Sequence, residues 1–296
     1  MKRIFESVRV LMMGTIVLTV VSCSDDDKGG SGNPAPEYDG TRLTAIDDWD
    51  ISYDNQGRVV RIDDGYDELT IDYSNNRMSI FGESGDVKFN SQGYLSECYT
   101  SFKDEDYSGW EKDSFSYNSD GNLTKFQSTY HEQYDGEIWD ETIVMTLTWK
   151  NGNVVTITTS EEYDDETWNE TVNISYGNDK NTFNQFPLTL WDYSGGDSLF
   201  GIIGATGLIG KGPAMLPDNL EIEEDYYSDD LDIYFTLNNN GSIKTESTKY
   251  DTYYYYYGSV SSKAAKAKAS RAKLTEKKVK RLFTPRHTRA KSVVNE

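Results

Sequence analysis

Cysteine and histidine are the scarcest reactive residues of this 296-residue chain, with two of each. His131 stands in a polar stretch and His287 in a basic segment, so neither a Ser-His-Asp triad nor a clustered-histidine metal site is predicted. Cys23 closes an N-terminal leader, which leaves Cys98 without a partner for an internal disulfide. We expect Cys98, in a predicted strand, to be a buried and inert thiol.

Long apolar runs are also missing. Residues 10–21 are apolar and follow Lys2, Arg3 and Arg9, but the run is too short to span a bilayer permanently. This order is typical of a secretory signal peptide. A cysteine at the cleavage position resembles a bacterial lipobox, so we predict that residues 1–22 are the signal peptide and that Cys23 carries lipid.

The residues after Cys23 predict where the chain is sent. They are polar and acidic: Ser24, Asp25, Asp26 and Asp27. This stretch resembles the export signal that directs lipoproteins of the Bacteroidota to the outer face of the outer membrane. The resemblance implies a lipid-anchored protein that faces the cell exterior. Residues 23–40 are rich in Gly, Ser and Pro without apolar periodicity, and they predict a flexible tether.

A net positive charge is found only at the two ends of the chain. The formal net charge is −21, yet residues 1–23 carry +2 and residues 259–296 carry +10, which leaves −33 for residues 24–258. So acidic a body is not expected to bind nucleic acid or lipopolysaccharide. We call residues 259–296 the basic tail. Disorder is its default state, and a marginal helix, an anion-binding arm or a segment that folds onto the acidic body are the alternatives.

One short pattern recurs along the body: alternating apolar residues, an aromatic, a polar turn, a glycine and a second apolar stretch. In its first copy Trp49, Ile51 and Tyr53 share one strand face, and Asp54 opens the turn. Degenerate copies end at Tyr73 and less clearly at Tyr176. We predict β-hairpins whose turn glycines have positive φ, with a bulge or strong twist where the alternation slips. The turn glycines are Gly57, Gly93, Gly121, Gly152 and Gly241.

A chain of such hairpins predicts an all-β antiparallel meander with one apolar face, forming a curved sheet or a barrel over residues 41–258. Residues 198–210 interrupt the pattern with an apolar, glycine-rich stretch. The spacing of Gly210 and Lys211 does not fit a phosphate-binding loop, because Ala205 and Gly212 stand where a glycine and a Ser or Thr are needed. We predict a short helix or compact loop packed on the apolar sheet face.

Three features taken in order resemble a known family. They are the hairpin repeats, the segment 199–217 with Gly210-Lys211 and Leu216-Pro217, and the tyrosine run 253–257. Together they resemble a Bacteroidota family of outer-membrane lipoprotein domains of unknown function, described as porin-like in fold. The resemblance implies one domain and no assigned activity. We nevertheless expect no membrane pore, because the alternating runs are short and acids interrupt their neighbours.

Candidate ligand-binding residues are few. Asp63, Asp64 and Asp67 form a weak calcium candidate on a turn, but a solvated hairpin turn is favoured and no cofactor is predicted. Trp139 and Trp168 are flanked by acids, which makes them the tryptophans expected to be exposed and to contact a ligand. With 50 acidic residues, carboxylate pairs suited to glycoside hydrolysis also arise by chance.

These observations favour a non-enzymatic, surface-tethered domain that binds or shields something outside the cell, either a glycan or a protein partner. A barrel that encloses an apolar ligand is the alternative. An enzyme acting on glycans has the least support.

Overall fold

The computed structural model of the chain describes residues 42–103, 107–163, 166–194, 198–224 and 227–258. The predictions for Cys23, for residues 24–27, for the tether and for the basic tail lie outside the described residues. Seventeen strands and two short helices are formed within these ranges. They are β1 Arg42–Ile46, β2 Trp49–Tyr53, β3 Val59–Asp63, β4 Glu68–Asp72, β5 Arg77–Ile80, β6 Glu83–Phe89, β7 Leu95–Lys103, β8 Tyr107–Tyr117, β9 Leu123–Tyr134, β10 Glu137–Lys150, β11 Asn153–Tyr163, β12 Glu166–Lys180, α1 Leu188–Asp192, α2 Ser198–Ala205, β13 Met215–Glu224, β14 Tyr227–Asp232, β15 Tyr234–Leu237, β16 Ile243–Ser247 and β17 Thr252–Gly258.

The strands form an antiparallel meander that nearly closes into a barrel. Consecutive strands pair from β1 to β14 and again from β15 to β17. Only Ile233 separates β14, which pairs with β13, from β15, which pairs with β16. β17 then pairs with β1 and brings the two ends of the sheet together. The predicted all-β meander is confirmed. The sequence left two forms open, a curved sheet and a barrel, and the structure is a nearly closed barrel.

The five repeated turns lie at one end of the barrel, which we call the turn end. In the first of them Asp54 Oδ1 accepts hydrogen bonds from the amides of Gln56 and Arg58, at 2.9 and 2.8 Å. Asn90 and Asn118 make the equivalent bonds in their own turns. The turn glycines have φ between 78° and 86°, the conformation that the repeat predicts: Gly57, Gly93, Gly121, Gly152 and Gly241.

Each of these turns is followed by a bulge. The pairing shifts between Ser52 and Tyr53, so that Tyr53 lies opposite Val59, and the other four hairpins shift at the equivalent position. An extra residue in one strand moves the following side chains to the other face. The bulges therefore account for the slip of apolar alternation seen in the sequence.

At three of the repeated turns, those of Gly57, Gly121 and Gly152, and in both degenerate copies, the aromatic residue that ends the first strand joins it to a neighbouring strand. Its side chain donates a hydrogen bond to the backbone carbonyl that opens an earlier strand, and we call these bonds the aromatic clasps. Two of the five come from the degenerate copies, which therefore share the clasp although they lack the turn glycine. The clasps are Tyr53 to Leu43 at 2.7 Å, Tyr73 to Val59 at 3.0 Å, Tyr117 to Leu95 at 2.5 Å, Trp149 to Leu123 at 2.7 Å and Tyr176 to Val154 at 2.8 Å.

The connection between β12 and β13 fills the barrel, and we call its described residues, 181–194 and 198–214, the plug. Trp191 and Phe200 of the plug are completely buried. The ring centre of Phe200 lies 4.8 Å from that of Phe126 on β9 and 5.1 Å from that of Trp191. A Cβ on Gly204 would come within 2.4 Å of Trp191 Nε1. The apolar sheet face thus points inward, and the glycine-rich segment serves apolar packing, as its sequence predicts.

Residues of β16 and β17 hold the plug in place. Glu246 is completely buried and accepts hydrogen bonds from the amides of Leu188 and Thr189, at 2.9 and 2.8 Å, and from the hydroxyls of Thr189 and Tyr255. Tyr257 OH lies 2.8 Å from Gln185 Oε1 of the plug. The tyrosine run alternates as a strand must, because Tyr254 and Tyr256 face outward and are about half exposed: 50% and 52%.

Strand length is where the sequence-based expectation was wrong. The apolar runs predicted short strands, yet β8 to β12 contain 11, 12, 14, 11 and 15 residues. Beyond their last apolar inward residue, these strands continue with polar residues on the inner face. The apolar alternation in the sequence therefore stops before the strand does. The length of the strands therefore does not exclude a membrane pore. The evidence against a pore has to come from the polarity of the outer face of the barrel.

Candidate functional site

At the end of the barrel opposite the turns, carboxylates replace apolar residues on the inner face, and we call this the acidic end. On β8, Phe115 belongs to the core while Asp113 and Glu111 come next on the same side. On β10, Glu141 follows Ile143 in the same way. We call the six inward carboxylates of β8 to β12 the acidic wall: Glu111, Asp113, Glu132, Glu141, Glu161 and Glu170.

The strand register brings the acidic wall together in two neighbouring rows. Asp113 lies opposite Ser128, Ser128 opposite Ile143, and Ile143 opposite Glu161. In the next row Glu111 lies opposite Tyr130, and Tyr130 opposite Glu141. Directly opposed residues in antiparallel strands have Cβ atoms about 5 Å apart. The carboxylates of the wall therefore share the inner face of five adjacent strands, with Ser128, Tyr130 and Ile143 between them.

Asp113 is the most deeply buried member of the acidic wall, with 2% of its surface exposed. Its Oδ1 atom has no hydrogen-bond partner. Burial raises the pKa of Asp113 well above its usual range, and the negative charge of Glu111 raises it further, whereas a hydrogen bond with Ser128 lowers it. A buried oxygen without a partner is costly in a folded protein.

No lysine or arginine of the described ranges is buried. Ion pairs instead lie on the outer face, as where Lys88 and Lys112 flank Glu97 at 2.6 and 3.2 Å. Glu141 and Glu161 are 7% and 5% exposed, so the charge of the wall is largely removed from water. Such an environment strengthens any interaction with a cation.

The two tryptophans expected to contact a ligand both lie on the inner side at this end. Trp139 is opposite Glu132, and Trp168 is opposite Glu161. Both are half-buried rather than exposed. An indole beside carboxylates offers an apolar face next to hydrogen-bond acceptors, which suits a sugar ring or a cationic group.

The proposed calcium residues form a hydrogen-bonded turn between β3 and β4. Asp63 accepts from the amide of Gly65 at 2.9 Å and pairs with Arg61 at 3.1 Å. Asp64 accepts from the amides of Tyr66 and Asp67 at 2.9 and 2.8 Å. The contacts of the Asp63 and Asp64 carboxylates are those of a hydrogen-bonded turn. Within the described ranges, no group of three His, Cys, Asp or Glu is placed to hold a metal ion.

The other reactive residues of the described chain occupy structural positions. Cys98 is free and buried, and burial raises the pKa of its thiol well above the ordinary value. His131 lies on the outer face, where its Nδ1 is 2.7 Å from Asp140 and its ring stacks on Trp110. A cleft of about 250 Å³, counting its open side, lies at the turn end between the plug and Arg42, Tyr53 and Tyr257.

The sequence analysis missed the acidic wall, although a signal for it exists. Glu111 and Asp113 lie an even number of positions from Phe115 on β8, and Glu141 lies two positions from Ile143 on β10. Residues separated by an even number of positions share one face of a strand. Following parity beyond the last apolar residue would have placed these acids on the inner face. Because the chain contains 50 acidic residues, composition alone does not distinguish the few that point inward.

Two solved structures resemble this fold. One is a porin-like protein from Bacteroides vulgatus ATCC 8482, at 12% identity and a TM-score of 0.53, covering 74% of this chain and 99% of that one. The other is a porin-like protein from Bacteroides uniformis ATCC 8492, at 17% identity and a TM-score of 0.50, covering 75% of this chain and 93% of that one. No protein-family model and no curated protein matches the chain. The chain therefore has a porin-like fold, and the likeness extends to the fold alone.

Helices of the described ranges are all too short or too polar to cross a membrane.

Proposed function

We propose that this protein is a non-enzymatic, lipid-anchored binding domain on the outer face of the outer membrane. Lipid on Cys23 supplies the anchor, and residues 24–27 supply the export signal. The porin-like neighbours come from Bacteroides, which agrees with the type of export signal. The glycine- and proline-containing tether would hold the barrel at a distance from the bilayer.

The outer face of the long strands supports a barrel that stays outside the bilayer. A membrane barrel shows lipid an apolar band about 25 Å tall. Here the outward residues of β10 and β11 are mainly threonines and charged groups, and the apolar exceptions on β10 are the half-buried Val144 and Ile138, which is 58% exposed. The polar ones include Asp140, Thr142, Thr146, Thr148, Lys150, Thr156, Thr158 and Glu162.

The ligand that the acidic end fits is a glycan. The observation that carries this proposal is the placement of Trp139 and Trp168 on the same inner face as the acidic wall, each opposite a carboxylate. Aromatic faces pack against the apolar side of sugar rings, while carboxylates accept hydrogen bonds from hydroxyls. Both requirements meet here on rigid strands.

The rival functions fit the geometry less well. An apolar ligand inside the barrel would need the volume that the plug fills with Trp191, Phe186 and Phe200. An enzyme acting on glycans would need its acid to reach the substrate, and Asp113 is only 2% exposed. The surface-binding role is therefore the proposal.

Glycan binding is tested on the full mature chain with Cys23→Ala, by array screening followed by titration of each positive glycan. We expect Trp139→Ala and Trp168→Ala to weaken binding at least tenfold. Trp110→Ala, a half-buried tryptophan of the outer face, is the matched control and should bind normally. An equal loss of binding in the control would mean that the glycan does not bind specifically at the acidic end. Hydrolysis of a bound glycan would contradict the non-enzymatic role.

The anchor is tested separately. Metabolic labelling with a fatty acid should label the wild type and not Cys23→Ala, and the variant should move to the soluble fraction. Finding Cys23→Ala still in membranes would exclude lipid as the sole anchor.

A further inference from the structure

The cleft at the turn end combines aromatic side chains with hydrogen-bond donors. Its aromatic and donor residues come from β1, β2, β17 and the plug: Arg42, Tyr53, Phe183, Gln185 and Tyr257. We propose that this cleft binds the carboxylate group of an organic acid whose ring packs on the aromatic side chains. The cleft lies at the opposite end of the barrel from the acidic wall, so this site does not depend on the proposed glycan binding.

Gln185 of the plug provides a donor that the fold leaves unused. The residue is only 5% exposed, and its Oε1 accepts a hydrogen bond from Tyr257 OH at 2.8 Å. Because Oε1 faces Tyr257, the Nε2 group is directed elsewhere. Within the described ranges Nε2 donates no hydrogen bond, and it is not enclosed in the interior. This NH₂ group is therefore open to an acceptor in the cleft that Gln185 lines.

Arg42 provides positive charge at the same cleft. Its guanidinium lies over the ring of Tyr53, 5.2 Å from the ring centre, and its Nη1 donates a hydrogen bond to the carbonyl of Gly57. A Cβ on Gly57 would overlap this guanidinium, so the turn glycine also makes room for Arg42. A guanidinium held in this way is preorganised to bind a planar carboxylate.

The remaining lining suits a ring. Phe183 of the plug and Tyr257 of β17 are neighbours, with their ring centres 6.3 Å apart, and Leu43 and Ala205 add apolar surface. Binding sites commonly combine such apolar walls with a few polar groups that fix the orientation of the ligand. The volume of about 250 Å³, which includes the open side, admits a carboxylate with a single ring and excludes a larger molecule from the cleft.

The charge of the cleft favours a carboxylate over a phosphate. Arg42 is the charged side chain among the described residues that line the cleft. One positive charge matches the single charge of a carboxylate, whereas a phosphate group carries nearly two negative charges at neutral pH. The net charge of −33 on residues 24–258 further disfavours the second charge.

Titration by ligand-observed NMR tests the site in the full mature chain with Cys23→Ala. The probes are benzoate and glucuronate, each compared with a neutral counterpart, benzyl alcohol and glucose. We expect at least one acid to bind with a Kd of about 1 mM, and its neutral counterpart to bind at least about tenfold more weakly. Binding of benzoate alone would indicate an aromatic acid, and binding of glucuronate alone would indicate an acidic sugar.

Three results of this titration would overturn the proposal. They are no binding of either acid at about 20 mM, equal binding of an acid and its neutral counterpart, and displacement of the acid by inorganic phosphate at a lower concentration than the acid itself requires.

Two variants locate the bound acid. Gln185→Glu keeps an acceptor for Tyr257 but replaces the free NH₂ with a negatively charged oxygen, and Arg42→Met removes the charge while keeping a side chain of similar reach. We expect each variant, with its fold checked by circular dichroism, to bind the acid at least about tenfold more weakly than the wild type. Unchanged binding in both folded variants would place the acid elsewhere, as on the basic tail, and would overturn the proposal.

Arg58→Met is the matched control. Arg58 also lies over a tyrosine, 4.1 Å from the ring centre of Tyr73, but it forms an ion pair with Asp54 at 2.7 Å and does not line the cleft. Its removal changes the net charge of the protein by the same amount as Arg42→Met. The control should bind the acid normally, and a loss equal to that of Arg42→Met would show that only the overall charge matters, which would overturn the proposal.

Discussion

The two ends of this barrel are built from the same strands but have opposite inner faces. At the turn end, inward residues such as Phe115 and Phe126 are apolar and pack on Phe200 of the plug. At the acidic end, the same strands place Asp113 and Glu141 inward instead. The first arrangement stabilises the fold, and the second costs stability. We therefore expect the acidic end to be the functional site, because its inward carboxylates reduce the stability of the fold.

Two buried carboxylates show the same difference at the level of single groups. Glu246 and Asp113 are both at least 98% buried. Glu246 accepts four hydrogen bonds, which offset part of the effect of burial on its pKa, although burial still raises it. Asp113 Oδ1 accepts none. The fully bonded carboxylate acts as a structural anchor, whereas Asp113 is bonded to Ser128 and has one oxygen without a partner.

The largest effect is expected where the plug meets the strands. Phe200→Ala removes a completely buried ring that contacts Phe115, Phe126 and Trp191. We expect the free energy of unfolding to fall by about 3–5 kcal/mol, because truncation of a buried Phe leaves a cavity. Chemical denaturation measures this. Tyr254→Ala, at a half-exposed outer position, should change stability by less than about 0.5 kcal/mol.

A smaller loss is expected at the anchor of the plug. Glu246→Gln places an amide NH₂ among groups that are all donors, namely two amides and two hydroxyls. We expect a loss of about 1–3 kcal/mol, because at least one buried donor loses its acceptor. Glu221→Gln on the exposed face of β13 is the control. An unchanged melting temperature for Glu246→Gln would show that the anchor contributes nothing.

The turn end could be predicted from sequence because local chemistry determines it. Asp54 with Gly57, or Asn118 with Gly121, specifies a hairpin turn within five residues. The plug was predicted from its apolar composition, since an uncharged glycine-rich segment must be buried. The nearly complete closure of the barrel depends on the pairing of β1 with β17, and residues more than 200 positions apart carry no local signal for it. The acidic wall was missed because Asp113 and Glu141 resemble surface acids until their parity is followed.

A stabilising effect is expected at the acidic end, and it depends on pH. The folded state raises the pKa of Asp113 above its ordinary value of 3.8. Its favourable contribution is therefore complete below about pH 3.8 and is lost as pH rises through the raised pKa. Asp113→Asn removes that loss, so the variant should be more stable at pH 7 by about 1–2 kcal/mol.

Thermal unfolding from pH 3.5 to pH 8 measures this difference, in 0.5 M NaCl so that interactions between exposed charges are screened. The gain should shrink toward zero at the acidic limit. Asp120→Asn, on an exposed turn, should show no such trend. A variant that is less stable than the wild type at pH 7 would mean that the hydrogen bond of Asp113 with Ser128 outweighs the cost of its burial.

The smallest effect is expected at an aromatic clasp. Tyr176→Phe removes the hydroxyl that donates to the carbonyl of Val154 at 2.8 Å, while the ring stays in place. A single neutral hydrogen bond contributes about 0.5–1.5 kcal/mol net, so we expect a loss in that range by chemical denaturation. Tyr256→Phe, at an outward and half-exposed position, should have no measurable effect.

Tyr53→Phe breaks a second clasp on another hairpin. Because the two clasps share no residue, the double variant should lose the sum of the single losses. A double loss well above the sum would mean that the clasps act as one cooperative ring around the turn end.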